Sequence, residues 1–517
     1  MDRLPLLVGP DPRRRLGAVQ NRRNAAFAGI AAAGVALGVA EVVAILTGAT
    51  TSPLVSVGGV VIDSVPASVK DFAVSVFYTY DKIALQVGTL LILAVFAAAV
   101  GVAATRRMVF GYAGIGLFAL VGAVAALTRH AAPWYAFVPT LVGAAAGAAV
   151  LHWLLVRPPV ETYDERRFFL RAAGGTLAAA FVVGLTARWW ATRRGVEADR
   201  AAVQIPPVPD TATPLPPEAD AGLPDLAPFV TPNKDFYLID TTLVVPQVSS
   251  EDWTLRIHGR VERPLTLTFE QLLKRPMIER YVTLACVSND VGGGLIGNAK
   301  WQGVRIADLL DEVRPKAGAD QVVSRSVDGW TAGTPTAVLR DGRDAMLAIA
   351  MNGEPLPIEH GFPVRMVVPG LYGYVSATKW LAELELSSFA DFDAYWINRG
   401  WAREGPIKTQ SRIDTPRDGG NPAAGQVMIA GVAWAQHRGI SKVEVRVDDG
   451  PWQEAKLAAV PSIDTWRQWT LPWTATRGKH RLTVRATDNG GDTQTDAVAP
   501  PDPDGATGWH SVQVDVR

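Results

Sequence analysis

Between residues 28 and 187 the chain holds five stretches of roughly twenty apolar residues, Ala28–Thr47, Leu85–Thr105, Val109–Leu127, Tyr135–Val156 and Phe168–Ala187. A stretch of that kind spans a bilayer as a helix, because a helix pairs its own backbone polar groups where lipid offers none. The apolar run 53–80 is broken by Asp63, Lys70 and Asp71 and reads as an external loop with room for one interfacial helix. Arg13, Arg14, Arg15, Arg22 and Arg23 precede the first span, Arg106 and Arg107 follow the second, and Arg157, Arg166 and Arg167 follow the fourth. Short loops rich in arginine stay cytoplasmic. The pattern predicts a cytoplasmic N-terminus, five spans through the lipid bilayer of the cell membrane and an extracytoplasmic C-terminal part. Trp189 and Trp190 then mark the outer interface.

The spans carry little polar chemistry. His130 and His152 are the histidines placed there, one near a loop and one near a helix end. Two facing haem ligands are not expected from them. The Gly and Ala content suits close helix packing. The bundle reads either as a compact anchor or as a site for a quinone or an electron-transfer partner. The loop "ERRFFLR" at 165–171 resembles a twin-arginine export signal, a route for proteins already folded; Arg166, Arg167, Phe169, Leu170 and Arg171 match it. An ordinary positive-inside anchor explains the arginines equally well.

Past the spans the composition becomes that of a soluble protein. Residues 204–230 are so proline-rich that an extended, stiff spacer is expected. The predicted divisions are a basic tail at 1–24, the transmembrane region at 25–190, a linker at 191–230, an α+β domain at 231–405 and an all-β domain at 406–517. In the first soluble domain "WTLRIHGRV", "RYVTLAC" and "VRMVVPG" read as strands, while "FEQLLKR" and "IADLLDEV" read as short amphipathic helices. In the second, "SKVEVRVDDGPW" and "KHRLTVRATDNGG" alternate and then turn, as in a β-sandwich. Fifty basic residues balance fifty acidic ones, so nothing in the net charge asks for nucleic acid.

The chemistry centres on "YVTLACVSNDVGGGLIGNAKWQGV", which holds Cys286, the one cysteine among 517 residues. A single thiol makes no internal disulfide and no multi-thiolate zinc site. It is either a small buried hydrophobe or a ligand. Gly292, Gly294 and Gly297 fit G-x-G-x-x-G, but "NAKWQGV" is a poor helix start, and a dinucleotide fingerprint needs a helix there. Walker, nucleophile-elbow and H-E-x-x-H patterns do not occur.

"CVSNDVGGGLIGNAKWQGVRIADLL" resembles the cysteine loop of the sulfite oxidase family of molybdopterin enzymes. "TPNKDFYLIDT" resembles that family's early cofactor-binding loop, and "MNGEPLPIEHGFPVRMVVPGLYGYVSATKW" the stretch that holds the pterin phosphate. "GVAWAQHRGISKVEVRVDDGPW" resembles its immunoglobulin-like dimerisation domain. The resemblance runs in order over roughly 228–517. It implies a molybdenum–molybdopterin cofactor with Cys286 as metal ligand, and a homodimer through the C-terminal domain. It places Asn233, Phe236, Tyr237, Asp328, His360, Arg365, Ser376 and Lys379 around the cofactor. Tyr395 is a candidate proton donor at the pocket mouth. Chemically, a soft thiolate suits the metal, and a phosphate needs cations and donors. Each residue also has an ordinary structural reading: His360 as a turn cap, Arg365 as a salt-bridge partner, Asp328 as a turn residue and Phe236 as core.

Family members that oxidise sulfite place arginines shortly after the cysteine, whereas Asn289, Asp290 and Val291 stand here. An acidic side chain repels a dianion. The expected activity is therefore two-electron oxygen-atom transfer on a small neutral S- or N-oxide. One rival is sulfite oxidation with arginines supplied elsewhere, such as Arg403 or Arg438. The other is a cofactor-free adhesion or scaffold protein, which has no need of Cys286 or a phosphate site.

Overall fold

The computed structural model describes residues 12–48, 51–64, 81–129, 132–156, 174–175 and 196–517. They fall into two units, Met1–Gly195 with Thr242–Val244, and Val196–Thr241 with Val245–Arg517.

The first unit contains α1 (Pro12–Thr47), α2 (Pro53–Ser64), α3 (Asp81–Ala104), α4 (Met108–Leu127) and α5 (Val138–Leu155). Four segments are long and apolar enough to cross a membrane: Arg22–Thr47, Val87–Ala104, Met108–Leu127 and Val138–Leu155. They coincide with the first four expected spans. The fifth, Phe168–Ala187, and the "ERRFFLR" loop lie almost wholly outside the described residues. Small residues let these helices touch backbone to backbone. A Cβ at Gly29 would meet the Ala97 carbonyl oxygen at 2.0 Å, and one at Gly143 would meet that of Ala36 at 2.2 Å. Within the supposed loop, 53–64 is a helix, and Asp63 pairs with Arg129 at 2.8 Å. The histidine count overlooked Glu41, an acid inside α1 that accepts from the Ser52 hydroxyl at 2.5 Å. His152 bonds the Tyr112 hydroxyl through Nδ1 at 2.7 Å.

The second unit is built on four sheets. The first has the order β2 (Leu265–Thr268), β1 (Thr254–Gly259), β10 (Leu381–Ser387), β5 (Gln321–Ser326) and β6 (Thr331–Pro335). The second runs β3 (Ile278–Ala285), β4 (Ile296–Arg305), β7 (Met346–Met351) and β8 (Glu354–Pro355), with β9 (Arg365–Val367) also on β7. The helix Phe269–Leu273 starts on a capping box in which Thr268 and Gln271 satisfy each other's backbone N–H groups. The helix Ile306–Val313 buries Ile306, Leu309, Leu310 and Val313, the face its spacing predicts. After the glycine run comes strand β4 rather than a helix, so no dinucleotide motif forms.

The C-terminal sheets have the orders β11 (Gln410–Thr415), β12 (Gly425–Trp434), β16 (Arg467–Ala475), β15 (Lys456–Leu457), and β14 (Gln453–Glu454), β13 (Ile440–Val447), β17 (Gly478–Asp488), β18 (His510–Val516). All their pairings are antiparallel. One apolar core joins Leu255 and Ile257 of β1 to Val432 and Trp434 of β12 and to Trp466.

The proline-rich stretch is not a free spacer. Phe229 is fully buried, Ile205, Val208 and Leu215 pack on the same core, and Asp210 pairs with Arg280 and Arg305. Proline keeps the chain extended, but the apolar residues between the prolines gain more by lying on the core than by standing in water.

Candidate functional site

Cys286 follows the last residue of β3 and is 9% exposed. Its N–H donates to the Leu295 carbonyl at 2.9 Å, which closes the loop 286–295 at its neck. Burial pushes the thiol up, while hydrogen bonds from the backbone and hydroxyl of Ser288 and from the backbone of Val287 pull it down. Those donors favour the thiolate, the form that binds a metal.

The thiol lines a cleft that also takes in Phe236, Tyr237, Asp328, His360, Arg365 and Lys379. The structure thus brings together seven of the ten residues singled out in the sequence. His360 ends a short 3-10 turn, Ile358–His360, and Gly361 follows with φ of 111°. A Cβ at Gly361 would crowd Lys379 and Arg365, at 3.0 and 3.1 Å, so glycine lets three basic side chains converge. His360 is 4% exposed and its Nε2 donates to the Asn233 carbonyl at 3.0 Å. Burial first, and then the Arg365 charge, lower its pKa to about 4, so it is neutral at pH 7.

Arg365 is 5% exposed. Its guanidinium reaches the carbonyls of His360, Met366 and Ala377 at 3.1–3.4 Å and lies 5.0 Å from the centre of the Trp301 ring. Among the described residues it has no carboxylate partner, and burial lowers its pKa to about 10. A buried, uncompensated cation is costly, so its presence at a cleft wall argues for an anion there. Lys379, by contrast, is paired with Asp240 at 2.7 Å. Burial raises the Tyr237 hydroxyl well above its ordinary range, and the nearby Cys286 adds to it, so Tyr237 stays a neutral donor.

Three expected residues do not line the cleft. Asn233 stands behind it, offering its carbonyl to His360 and its Nδ2 to the Met351 carbonyl. Ser376 is fully buried and spends its hydroxyl on the Leu371 and Tyr372 carbonyls. Tyr395 lies beside the wall with the Arg399 guanidinium 3.6 Å from its ring centre, while its neighbour Trp396 lines the cleft. Asp290 is exposed and off the wall, and Asn289 turns inward to accept from the Leu295 N–H at 2.7 Å. The loop's own hydrogen bonding, which adjacency in sequence does not reveal, decides both.

Sequence reasoning passed over Trp330, Tyr374, Trp396, Trp401 and Ser326, which also form the walls. The Ser326 hydroxyl is buried and has no partner among the described residues. The signal available for the aromatics was the close spacing of Trp396 and Trp401 in "YWINRGW".

A family model described as "Oxidoreductase molybdopterin binding domain" matches residues 242–396. Human mitochondrial sulfite oxidase is 31% identical over 321 residues, covering 53% of this chain and 58% of that protein. The "Uncharacterized oxidoreductase YuiH" of Bacillus subtilis is 36% identical over 155 residues, 30% of this chain and 74% of that protein. The solved sulfane dehydrogenase SoxCD of Paracoccus pantotrophus is 25% identical and covers 56% of this chain and 82% of its own, with a TM-score of 0.49. The chain spans a little over half the length of the human sulfite oxidase it matches.

A buried thiol in a cleft, set within a molybdopterin-binding domain, defines an oxidoreductase of the molybdopterin class. The chain belongs to the sulfite oxidase family of these enzymes. Membership implies a molybdenum cofactor, and the cleft fits one: a soft sulfur, an unpaired buried cation for a phosphate and an orphaned Ser326 hydroxyl for a polar edge.

Proposed function

We propose that the protein is a membrane-anchored, extracytoplasmic enzyme that carries out two-electron oxygen-atom transfer on a small neutral S- or N-oxide. The bound cofactor would supply the oxygen-transfer chemistry at its metal. Cys286 would be the protein's metal ligand, with Ser288 stabilising its thiolate. Arg365, His360 and Lys379 would hold the phosphate end, with Phe236, Tyr237 and Asp328 along the pterin. Asn233 would orient His360, and Ser376 would fix the turn before Lys379. Tyr395 would act as a proton donor only if its side chain leaves the position beside Arg399.

The observation that carries the substrate reading is the composition of the walls. Among the described lining residues Arg365 and Lys379 are the only arginine or lysine, and Lys379 is already paired. Arg403 pairs with Asp393 and Arg438 with Asp488, and neither lines the cleft. Aromatic walls with no free cation beyond the phosphate end favour a neutral oxide over a dianion. The identity to human sulfite oxidase favours the second reading, sulfite oxidation.

The four apolar helices support anchoring; a cytoplasmic N-terminus and a fifth span at Phe168–Ala187 would put the catalytic part outside. The four antiparallel-paired strands in each C-terminal sheet suit an immunoglobulin-like sandwich able to mediate a homodimer. The electron partner would be a second protein or a membrane quinone. The test uses the full chain from a cofactor-producing host. Molybdenum near one per chain is expected, with turnover of dimethyl sulfoxide or an amine oxide well above that of sulfite. Cys286→Ser should stay folded and lose activity by roughly a hundredfold or more, since even residues behind the metal ligands cost 10–100-fold. Efficient sulfite turnover that weakens as salt rises would instead select the second reading.

A further inference from the structure

The loop 286–295 is tied internally at its neck and middle. Asn289, 4% exposed, donates its N–H to the Cys286 carbonyl at 3.2 Å and accepts from the Leu295 N–H at 2.7 Å. At the tip, the Gly293 N–H donates to the Asp290 carbonyl at 2.8 Å. Gly292, Gly293 and Gly294 nevertheless leave the tip with more backbone freedom than any other sequence would. A metal ligand needs the opposite, because its sulfur must stay within a few tenths of an ångström of one position.

The restraint comes from the C-terminal sheets. Arg412 of β11 donates through Nη1 to the Gly293 carbonyl at 2.7 Å. Asp414 fixes that guanidinium, accepting from Nε at 2.5 Å, and the two side chains are only 14% and 8% exposed. One residue along the same tip, Gly292 adopts φ of 79°, and a Cβ there would meet the His510 ring at 2.1 Å. His510 begins β18 and is itself held, because its Nδ1 accepts from the Ile413 N–H at 3.0 Å. The strand leading into the cysteine is also held by residues of the C-terminal part. The Thr283 hydroxyl accepts from the Trp466 N–H at 2.7 Å, and the Thr283 carbonyl accepts from Gln436 at 3.1 Å.

We infer that Arg412 and His510 are positioning residues for Cys286: the C-terminal sheets clamp the tip of the cysteine loop and thereby set where the sulfur stands in the cleft. This rests on the proposed role of Cys286 as metal ligand, but the geometry it claims is testable without the metal. A β unit that served only for dimerisation would have no reason to send a half-buried, carboxylate-oriented arginine to the carbonyl of a glycine in that loop. Truncating Arg412 removes a charge-assisted hydrogen bond and leaves Asp414 without its cation. The tip is then free to sample the conformations its glycines allow, and the sulfur moves with it.

The chain contains a single thiol, so alkylation reports on this loop alone. The full chain is prepared in a host unable to make the pterin, and the rate of N-ethylmaleimide addition is followed by mass spectrometry beside thermal unfolding. Arg412→Ala should raise the alkylation rate roughly tenfold or more, the scale expected for losing one hydrogen bond to a charged group. Gly292→Ala, which pushes the tip against His510 from the loop side, should do the same. The double variant should exceed neither by much, because both release one clamp. In cofactor-loaded protein, both variants should shift the molybdenum(V) electron paramagnetic resonance signal. Folded Arg412→Ala and Gly292→Ala proteins that alkylate at the wild-type rate would overturn the inference. If Arg412→Ala does not fold, Arg412→Gln, which keeps the bulk but shortens the reach to the Gly293 carbonyl, decides in its place. A wild-type protein that never takes up molybdenum would sink the proposed function while leaving the alkylation result to judge the clamp.

Discussion

The two units bury opposite kinds of side chain. Among the described residues of the apolar helical unit, most enclosed side chains are small, such as Ala25, Ala28, Ala31, Ala32 and Ala40, with Leu151 the large exception, while Leu91, Ile92 and Val95 stand 63–72% exposed. In the other unit the largest enclosed side chains are Trp301, Trp380, Trp434, Trp466 and Trp469. Water drives large apolar groups inward, whereas lipid gives them no such reason. Helices in lipid gain instead by close approach, which alanine and glycine allow. Enclosed bulk therefore dominates one unit, and close-packed small residues, with Leu151 among them, the other.

Four measurements test that contrast. The largest effect is expected from Trp301→Ala. Trp301 is fully enclosed, donates Nε1 to the Val282 carbonyl at 3.1 Å and supports Arg365. A loss of about 3–5 kcal/mol is expected for such a truncation, read by denaturant unfolding followed through tryptophan fluorescence. A loss below about 1 kcal/mol would mean that enclosed bulk is not what stabilises this unit.

The next effect concerns pH. His360 has a folded pKa of about 4 against an ordinary 6.5, so the unfolded chain binds a proton that the native cleft refuses. Stability is complete above pH 6.5 and falls as pH drops from 6.5 to 4, by about 3 kcal/mol in cofactor-free protein. A bound phosphate would favour the imidazolium, so cofactor-loaded protein should lose less over the same window. Thermal unfolding of both forms at pH 7, 5.5 and 4.5 checks it. His360→Gln should flatten this part of the profile.

In the apolar helical unit, Gly29→Val forces a side chain toward the Ala97 carbonyl. Overpacking of this kind costs about 1–3 kcal/mol. Proteolysis or thermal aggregation in lipid nanodiscs should show the loss. The smallest effect belongs to Leu91→Ala. The same truncation costs several kcal/mol in a soluble core, but Leu91 faces outward at 63% exposure, and a change within about 0.5 kcal/mol is expected in nanodiscs. A large loss there would show that Leu91 meets protein rather than lipid.

Much of this architecture was legible because its signals are local. The apolar lengths of the first four spans, the period of Ile306–Val313 and the alternation of β13 and β17 each arise within one short stretch of chain. Seven candidate cleft residues converged because motif order carried them there. Tyr395 missed the wall by one position, since the turn beginning at Ile397 presents Trp396 instead. Asp290 was read as a charge facing the substrate, yet the bond from Leu295 to Asn289 turns the loop so that Asp290 faces outward.

By itself, the sequence determined which segments suit lipid, which alternate as strands, and that any thiolate ligand must be Cys286. Hydropathy, period and residue type are properties of short stretches, and solvent reads them directly. Only the tertiary structure decided that the proline-rich stretch lies on the core of the second unit and that Arg365 has no carboxylate partner among the described residues. It alone brought Arg412 and His510, more than a hundred residues downstream, to the tip of the cysteine loop. Those outcomes depend on which distant surfaces meet, and a glycine-rich loop or an extended proline segment has too weak a local preference to choose between them.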